Sequence, residues 1–310
     1  MNMTLQQLEY ILAVDQHRHF TKAAEQCFVT QPTLSAMIQK LEEELDVKIF
    51  DRTRQPIAPT PIGVHILQQA KEILVQVDNM KQIIQEQKEE VGGSFHIGVL
   101  PTIAPYLLPR FFQDMVKKYP KLNITVSEMK TPDIKRALLT GEIDAGILAE
   151  LNDMEMYNHT HLFYEEFYAY VAREEELSAK STIKSSELKG EMLWLLDEGH
   201  CFRDQMVRFC HINPERNDNL TYQLGSMETF MRMVEKGEGI TFVPELALDQ
   251  MSDLQKQLVR PFAIPQPARK IVVLTDKRFI RHSLIDVLQA EIQASIPKSM
   301  LKIKPTQVAI

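Results

Sequence analysis

The sequence lacks several features that would assign the chain to a membrane, secreted or metal-binding class. No apolar run in its 310 residues approaches the roughly 18 residues of a membrane-spanning helix. Only three cysteines are present and no CxxC pair, which argues against a disulfide framework or a metal site. The start, MNMTLQQLEY, has no basic segment of the kind that opens a signal peptide. We therefore expect a cytoplasmic globular protein without metal, cofactor or membrane contact.

Positive charge is also scarce, with 35 Lys and Arg against 42 Asp and Glu and a net charge of −7. Residues 1–66 alone hold six Lys or Arg and eight Asp or Glu, a balance of −2. A basic domain is the usual electrostatic mark of nucleic-acid binding, so its absence weakens that interpretation. The acidic side chains nevertheless gather at the far end of a predicted third helix and leave the start of that helix uncharged: Glu42, Glu43, Glu44 and Asp46.

The first 60 residues carry a pattern of three helices followed by a small wing. Residues 5–17 place apolar side chains on one helix face, and a second short helix begins with Thr21 as its N-cap. A third helix opens at Thr30, with Pro32 tolerated in its first turn. This helix-turn-helix order presents small polar groups that can meet base edges in a major groove. The predicted DNA-facing residues are Thr30, Gln31, Pro32, Thr33, Ser35 and Gln39, with Arg52 and Arg54 on a wing at 50–59.

A long helix follows from Thr60-Pro61, where a cap precedes proline at the first helical position. Its apolar residues alternate spacings of four and three for nearly three heptads, which is typical of a coiled-coil seam. The sequence therefore predicts a dimer through residues 61–90, and Gly92-Gly93 predicts a flexible hinge after it. The seam residues are Ile66, Ala70, Ile73, Val77, Met80 and Ile84.

Beyond residue 92, short apolar strands alternate with helices, which favours a parallel sheet with crossovers and two small α/β lobes around a cleft. Ligands in such sheets bind at the carboxyl ends of strands, where Thr102 and the stretch from Asp197 to Cys201 are expected. The predicted strands are 95–100, 122–126, 143–148, 167–171, 193–196, 222–224, 240–243 and 271–274, and the predicted helices are 105–118, 132–140 and one from 282.

Two of the three cysteines lie nine positions apart in a stretch that fits a helix, Cys201 to Cys210. Free backbone N–H groups in the first turn and the nearby charges of His200 and Arg203 favour a thiolate at Cys201. Nine helical residues span about 13 Å, whereas a disulfide needs Cα atoms within about 7 Å. A bond between the two would therefore require the helix to unwind, as in a redox switch. The alternative is two inert core cysteines.

The first 65 residues closely resemble the winged helix-turn-helix of LysR-type transcriptional regulators. The matching motifs are Leu8-x-Tyr10-Ile11, Phe20-Thr21-x-Ala23-Ala24, Thr30-Gln31-Pro32-Thr33-Leu34-Ser35, Phe50-x-Arg52 and Thr60-Pro61-x-Gly63. The resemblance implies an α-helical winged helix-turn-helix plus a long linker helix, followed by an α/β, two-lobed, periplasmic-binding-like effector domain. The corresponding boundaries are 1–60 for DNA binding, 61–91 for the linker and dimerisation helix, 92–300 for the effector domain and 301–310 for a C-terminal tail.

The run Gly199-His200-Cys201-Phe202-Arg203-Asp204-Gln205, with Cys210 after it, resembles the peroxide-sensing OxyR branch of that family. That resemblance implies a reversible disulfide in which Cys201 is the peroxide-reactive thiol and Cys210 its resolving partner. It implies hydrogen-bond donation to peroxide from Thr102 and His200, support of the thiolate by Arg203, and orientation of Arg203 or proton relay by Asp204. Thr131 matches a peroxide-binding position, although the Lys130-Thr131-Pro132 context departs from the branch's pattern.

The implied partners are double-stranded promoter DNA, hydrogen peroxide, further copies of the chain as a dimer or tetramer, a glutaredoxin- or thioredoxin-type reductant and RNA polymerase. The expected function is regulation of transcription rather than catalytic turnover. Two alternatives stay open. One is a LysR-type regulator whose cleft binds a small organic ligand and whose cysteines are incidental. The other is a thiol peroxidase, against which the N-terminal winged helix argues.

Overall fold

The chain forms two compact units, residues 1–88 and 89–310. The computed structural model describes residues 3–87, 91–188, 193–196, 201–211 and 226–310, without the side chains of 78, 79, 81–87 and 201. Each unit has its own hydrophobic core.

Three helices form the start of the first unit, as the sequence predicts. The N-cap of the third is Thr30, whose hydroxyl accepts a hydrogen bond from the Thr33 N–H. The N-cap of the second is His19, and not Thr21 as predicted, because the His19 Nδ1 accepts the Thr21 N–H, which places the cap two residues earlier. The helices are α1 (Leu5–His17), α2 (Phe20–Gln26) and α3 (Gln31–Leu45).

A two-stranded antiparallel wing connects α3 to the long helix, through β1 (Phe50–Asp51), β2 (Ala58–Pro59) and α4 (Pro61–Gln87). The Thr60 hydroxyl fastens the junction. It donates to the Lys48 carbonyl at 2.6 Å and accepts the Gly63 N–H at 3.0 Å.

The seam predicted along α4 divides into two parts. Ala70 is buried in the core of its own unit and Ile66 packs against that core, so these two do not lie on a free surface. Further along, Ile73 and Met80 are exposed, Met80 by 68%. The side chain of Ile84 lies outside the described residues. Dimerisation through α4 therefore stays a prediction, and among the predicted seam residues the exposed ones begin at Ile73.

The described residues of the second unit form a mixed sheet of eight strands, with the order β4-β3-β5-β9-β6-β7 and with β10 added to β9 and β8 to β6. β3 pairs in parallel with β4 and β5, but β9 pairs antiparallel with both β5 and β6. The strands are β3 (Gly93–Val99), β4 (Leu122–Glu128), β5 (Ala145–Ala149), β6 (Tyr157–Val171), β7 (Ile240–Pro244), β8 (Val259–Pro261), β9 (Gln266–Asp276) and β10 (Gln307–Ala309).

Six helices accompany this sheet in the described part of the second unit. They are α5 (Ala104–Lys118), α6 (Thr131–Thr140), α7 (Cys201–Cys210), α8 (Met227–Glu235), α9 (Asp253–Lys256) and α10 (His282–Ser295), with short 3-10 turns between some of them. Among the described helices none is long and apolar enough to span a bilayer.

The expected all-parallel sheet is wrong in its second half. Short apolar segments do not specify direction, and the fifteen residues of β6 form one strand instead of the predicted 167–171 because the run before it pairs with β9. Residues 193–196 contribute only a single bridge, Leu193 to Ile240, and the predicted strand 222–224 lies outside the described residues.

The glycine pair predicted as a flexible hinge has defined backbone contacts. Arg281 donates to the Gly92 carbonyl, and the Gly93 N–H donates to the Lys121 carbonyl at 2.9 Å as the first residue of β3. The sequence change at this point therefore marks the entry into the sheet.

Substitution of Gly63 by alanine should destabilise the first unit. Alanine normally favours a helix by up to about 1 kcal/mol over glycine. Here a Cβ would lie 2.0 Å from the Ile49 carbonyl oxygen, so backbone must move. We expect the free energy of unfolding to fall by about 2 kcal/mol, a typical cost of overpacking. Urea denaturation followed by hydrogen exchange in α1–α3 measures it, with Gln76→Ala on the exposed side of α4 as control. Equal stability of Gly63→Ala and wild type would contradict the prediction.

Candidate functional site

The start of α3 presents the polar surface predicted for DNA. Gln31, Pro32 and Thr33 are all exposed, and Gln39 is exposed two turns further on, where its amide donates to Glu43. Thr30 and Thr33 share a hydrogen bond between hydroxyl oxygens 2.8 Å apart. A helix end with exposed polar groups matches the way such helices meet a major groove.

The two wing arginines have different environments. Arg52 donates to the Ser35 hydroxyl at 3.3 Å, lies 3.4 Å from the Glu42 carboxylate and covers the Phe20 ring at 5.0 Å. Arg54 is 71% exposed and pairs with Asp51 at 3.2 Å. Arg52 thus holds the wing against α3, whereas Arg54 extends into solvent. Whether either contacts phosphate stays a prediction, and Arg54 is the freer of the two.

A groove of about 830 Å³ lies beside the wing and is lined by more cations than acids, although the net charge of residues 1–66 is negative. Its lining includes the cations Lys48, Arg52 and Arg54 with the single acid Asp51. The deficit of positive charge over residues 1–66 is therefore offset locally, and the objection from net charge loses force.

In the second unit, the predicted cysteine helix is α7, which extends from Cys201 to Cys210. Because the first residues of a helix leave their N–H groups unpaired, Cys201 lies where an anion is favoured. Ten helical residues place the two Cα atoms about 13 Å apart, beyond the reach of a disulfide. The inward face of α7 is buried and comprises Phe202, Gln205, Met206 and Cys210.

The Cys210 thiol is enclosed at the end of this face, with 4% exposure. Burial raises the pKa of Cys210 to about 12, because the thiolate would lose its hydration. With α7 intact, Cys210 is therefore protonated and a poor nucleophile.

A fully buried arginine that the sequence analysis did not identify lies under the start of α7. Arg269 of β9 donates through Nε and Nη2 to one Glu165 oxygen, at 2.9 and 2.7 Å. Its guanidinium carbon lies 5.2 Å from the ring centre of Phe167 and 5.7 Å from that of Phe202. Since Phe202 adjoins Cys201, this buried cation lies beneath the first turn of the cysteine helix.

Thr102 completes the arrangement. Its hydroxyl accepts from Arg269 Nη1 and its carbonyl accepts from Nη2, both at 3.0 Å. A guanidinium has five N–H donors, and these four contacts leave one on Nη1. The Thr102 hydroxyl hydrogen is also free to donate elsewhere, because its oxygen accepts from the arginine. Two hydrogen-bond donors are thus held in fixed positions by one ion pair.

Thr131 lies at the same edge of the sheet as Thr102. β3 and β4 are parallel neighbours, with Val99 beside Glu128, and each threonine follows three residues beyond that pair. Thr131 is 6% exposed, and its hydroxyl has no hydrogen-bond partner among the described residues. A buried hydroxyl without a partner is costly, so this position is suited to a small polar ligand.

The charged residues predicted beside Cys201 are less enclosed. Arg203 pairs with Asp204 at 3.4 Å, and the Asp204 side chain is 53% exposed. His200 lies outside the described residues, as does the Cys201 side chain. The roles of these residues stay predictions, while the buried cation under α7 is Arg269. Within the described chain no cluster of three His, Cys, Asp or Glu side chains could hold a metal ion.

The sequence contains one indication of the buried ion pair between Arg269 and Glu165, which the sequence analysis did not identify. Arg269 and Glu165 each stand two residues before a predicted apolar strand, 271–274 and 167–171, and a charge buried beside such a strand needs a partner. Nothing in the sequence alone identified β6 and β9 as neighbours.

Two family models match the chain. Residues 5–64 match "Bacterial regulatory helix-turn-helix protein, lysR family" and residues 88–295 match "LysR substrate binding domain". A "Hydrogen peroxide-inducible genes activator" from Dickeya chrysanthemi is 35% identical, over 88% of this chain and 89% of the relative.

Solved structures are similar as well. OxyR from Porphyromonas gingivalis is 45% identical over 70% of this chain and 99% of that chain, with a TM-score of 0.66. A Corynebacterium glutamicum OxyR variant described as bound to H2O2 is 26% identical over 95% and 93%, with a TM-score of 0.61.

Burial of Cys210 predicts a specific pH dependence. An exposed thiol ionises near its ordinary pKa of 9.0, whereas Cys210 in the helix resists ionisation up to about 12. Stability that this thiol contributes to α7 is therefore fully present below pH 9 and is lost as the pH rises from 9 toward 12. Iodoacetamide should modify Cys210 at pH 8 at least about tenfold more slowly in native than in urea-unfolded protein, by mass spectrometry. Equal rates would contradict the assignment.

Proposed function

The chain belongs to the LysR family of bacterial regulatory helix-turn-helix proteins, and from this membership we propose that it is a DNA-binding transcriptional regulator switched by hydrogen peroxide. LysR proteins are regulators and not a family of enzymes, so the oxidised protein is the signal. The observation that carries the proposal is the buried Arg269, which holds Thr102 and lies against Phe202 in the first turn of a helix with a cysteine at each end.

The proposed first step is attack of the Cys201 thiolate on peroxide. The S–O bond forms as the O–O bond breaks, giving a sulfenic acid and hydroxide, which takes a proton to become water. Donors around the departing oxygen lower the barrier to this step. The remaining Arg269 N–H and the Thr102 hydroxyl hydrogen supply two, and the unpartnered Thr131 hydroxyl supplies a third. His200 and Arg203, with Asp204 orienting Arg203, are proposed to support the thiolate.

The second step joins the two cysteines. The Cys210 sulfur attacks the sulfenic sulfur, an S–S bond forms and water leaves, so two thiols are oxidised while one peroxide becomes two waters. Because the two cysteines are the first and last residues of α7, this step requires the helix to unwind. Unwinding also releases Cys210 from the burial that keeps it protonated, so the intact helix delays the resolving thiol.

Unwinding of α7 removes apolar packing that stabilises the reduced form. Phe202 and Met206 are 3% and 0% exposed, and a fully buried side chain of this size stabilises by about 1.5–3 kcal/mol. The disulfide and any repacking must offset that loss. The bond is therefore expected to be readily reduced, as regulatory disulfides are, by a thiol reductant of glutaredoxin or thioredoxin type.

The remaining parts of the proposal concern assembly and location. We propose that residues 1–60 bind double-stranded DNA, that 61–91 form the dimer contact, and that 92–300 sense peroxide in a two-lobed, periplasmic-binding-like arrangement followed by the tail 301–310. We also propose a tetramer that contacts RNA polymerase in the cytoplasm. The exposed apolar part of α4 supports the dimer.

The switch has a direct test in hydrogen exchange. One equivalent of hydrogen peroxide should raise exchange across 201–211 in wild type, because the helix there must open. Cys210→Ser should stop at the sulfenic acid and show much less of this change, while Cys27→Ser, outside the sensing unit, should behave as wild type. Mass spectrometry reports both oxidation and exchange. Equal exchange in the reduced and oxidised wild type would exclude refolding as the switch.

DNA binding should depend on Arg54 through charge alone. If its exposed guanidinium neutralises one phosphate, Arg54→Ala should weaken binding to all sequences similarly and reduce the slope of log K against log salt by about 0.9. Lys117→Ala, an exposed cation in the sensing unit, is the control. A change of sequence preference with an unaltered slope would show that Arg54 does not contact phosphate.

A further inference from the structure

The tail, residues 301–310, is built into the sensing unit. β10 pairs alongside β9 in parallel, with Gln307 opposite Gln266 and Ala309 opposite Ala268. The Ile310 N–H then donates to the Ala268 carbonyl at 3.0 Å, and the next residue of β9 is Arg269. The residue of β9 that binds the end of the tail, Ala268, is thus the direct neighbour of Arg269, which carries the buried guanidinium.

The tail also touches α7 directly. Gln205 lies in the middle of this helix with 1% exposure, and its Nε2 donates to the Ile310 carbonyl at 2.7 Å. Its Oε1 is buried and has no partner among the described residues. Burial of an amide oxygen without a partner is unfavourable, and the described hydrogen bond of the Gln205 side chain is to the tail. We therefore infer that α7 depends on the tail for its position.

A second anchor fixes the tail to the sheet. The Glu166 carboxylate accepts from Lys304 at 2.9 Å and from Gln307 at 2.6 Å. Burial alone would raise the pKa of Glu166, but these hydrogen bonds and that from Tyr168 hold it below its ordinary value. The carboxylate is therefore charged near neutral pH, and it holds the tail in place while the far end reaches α7.

We propose that the tail is a brace for α7, and that the contact between Ile310 and Gln205 sets how readily the sensor passes to its disulfide form. This inference rests on the proposed function. Gln205 lies inside the ten residues that must unwind, so its contact exists only while the helix does. A contact present only in the reduced form opposes oxidation. Its removal must favour the disulfide by the same factor by which it stabilised the helix.

Two variants test the brace from opposite sides. Deletion of residues 308–310 removes the acceptor together with the end of β10, and leaves Lys304 and Gln307 on Glu166. Gln205→Ala removes the donor, and alanine has a higher helix propensity than glutamine, so any loosening of α7 reflects the lost contacts. Lys302→Ala, on an exposed lysine of the same tail, is the matched control. The double variant should show little more effect than the deletion alone, because the deletion already removes the partner of Gln205.

The first measurement is hydrogen exchange of 201–211 in the fully reduced proteins. Both variants should exchange faster than wild type, Gln205→Ala by about fivefold, the factor expected for one buried hydrogen bond, and the deletion by at least as much. The thiol–disulfide equilibrium against a dithiothreitol buffer should shift toward the disulfide by a similar factor. Lys302→Ala should match wild type in both.

Unchanged exchange in the deletion variant would overturn the brace, whatever Gln205→Ala does, because the helix would then be independent of the tail. Additive effects in the double variant would overturn it as well. A wild type that fails to react with peroxide would instead reject the proposed function, and exchange in the reduced proteins would still decide on the brace.

Discussion

The sensing unit depends on the burial of one positive charge. A guanidinium removed from water needs a partner, and taking that partner away leaves an unpaired buried charge at a cost of about 3–5 kcal/mol. Glu165 supplies the negative charge that pairs with Arg269, and Thr102 accepts hydrogen bonds from two further N–H groups of the guanidinium. This contact joins β6, β9, the turn after β3 and, through Phe202, the first turn of α7. The carboxyl edge of the sheet is therefore one rigid arrangement of donors, although its residues are far apart in sequence.

In the described part of the chain, the helix α7, which lies above that charge, is held mainly by apolar packing and not by an ion pair. Its inward face is apolar apart from Gln205, and it carries one thiol at its favourable start and the other in an apolar enclosure. Burial thus suppresses ionisation of the Cys210 thiol, whereas Cys201 is the first residue of the helix. In the proposed mechanism, the donors fixed by Arg269 lie beneath a helix that opens after the reaction.

Local signals predicted the elements that local chemistry determines. The Thr30 cap and Pro32 specify the start of α3, Thr60 and Pro61 specify the start of α4, and the spacing between Cys201 and Cys210 matches α7. Pairings between distant strands could not be predicted, because strand direction and the length of β6 depend on which neighbour each segment meets. Arg269 was missed for this reason, since its role exists only once β9 lies beside Glu165.

The mutual dependence of Glu165 and Arg269 restricts how this protein can change over time. Loss of either partner alone would consume a large part of the 5–15 kcal/mol by which domains are typically stable. A lineage could abandon the pair only through two nearly simultaneous replacements, preferably by apolar side chains of similar volume. The buried pair should therefore outlast exposed residues such as Asp204 during divergence, and it offers a more durable historical marker of this sensing unit than its surface does.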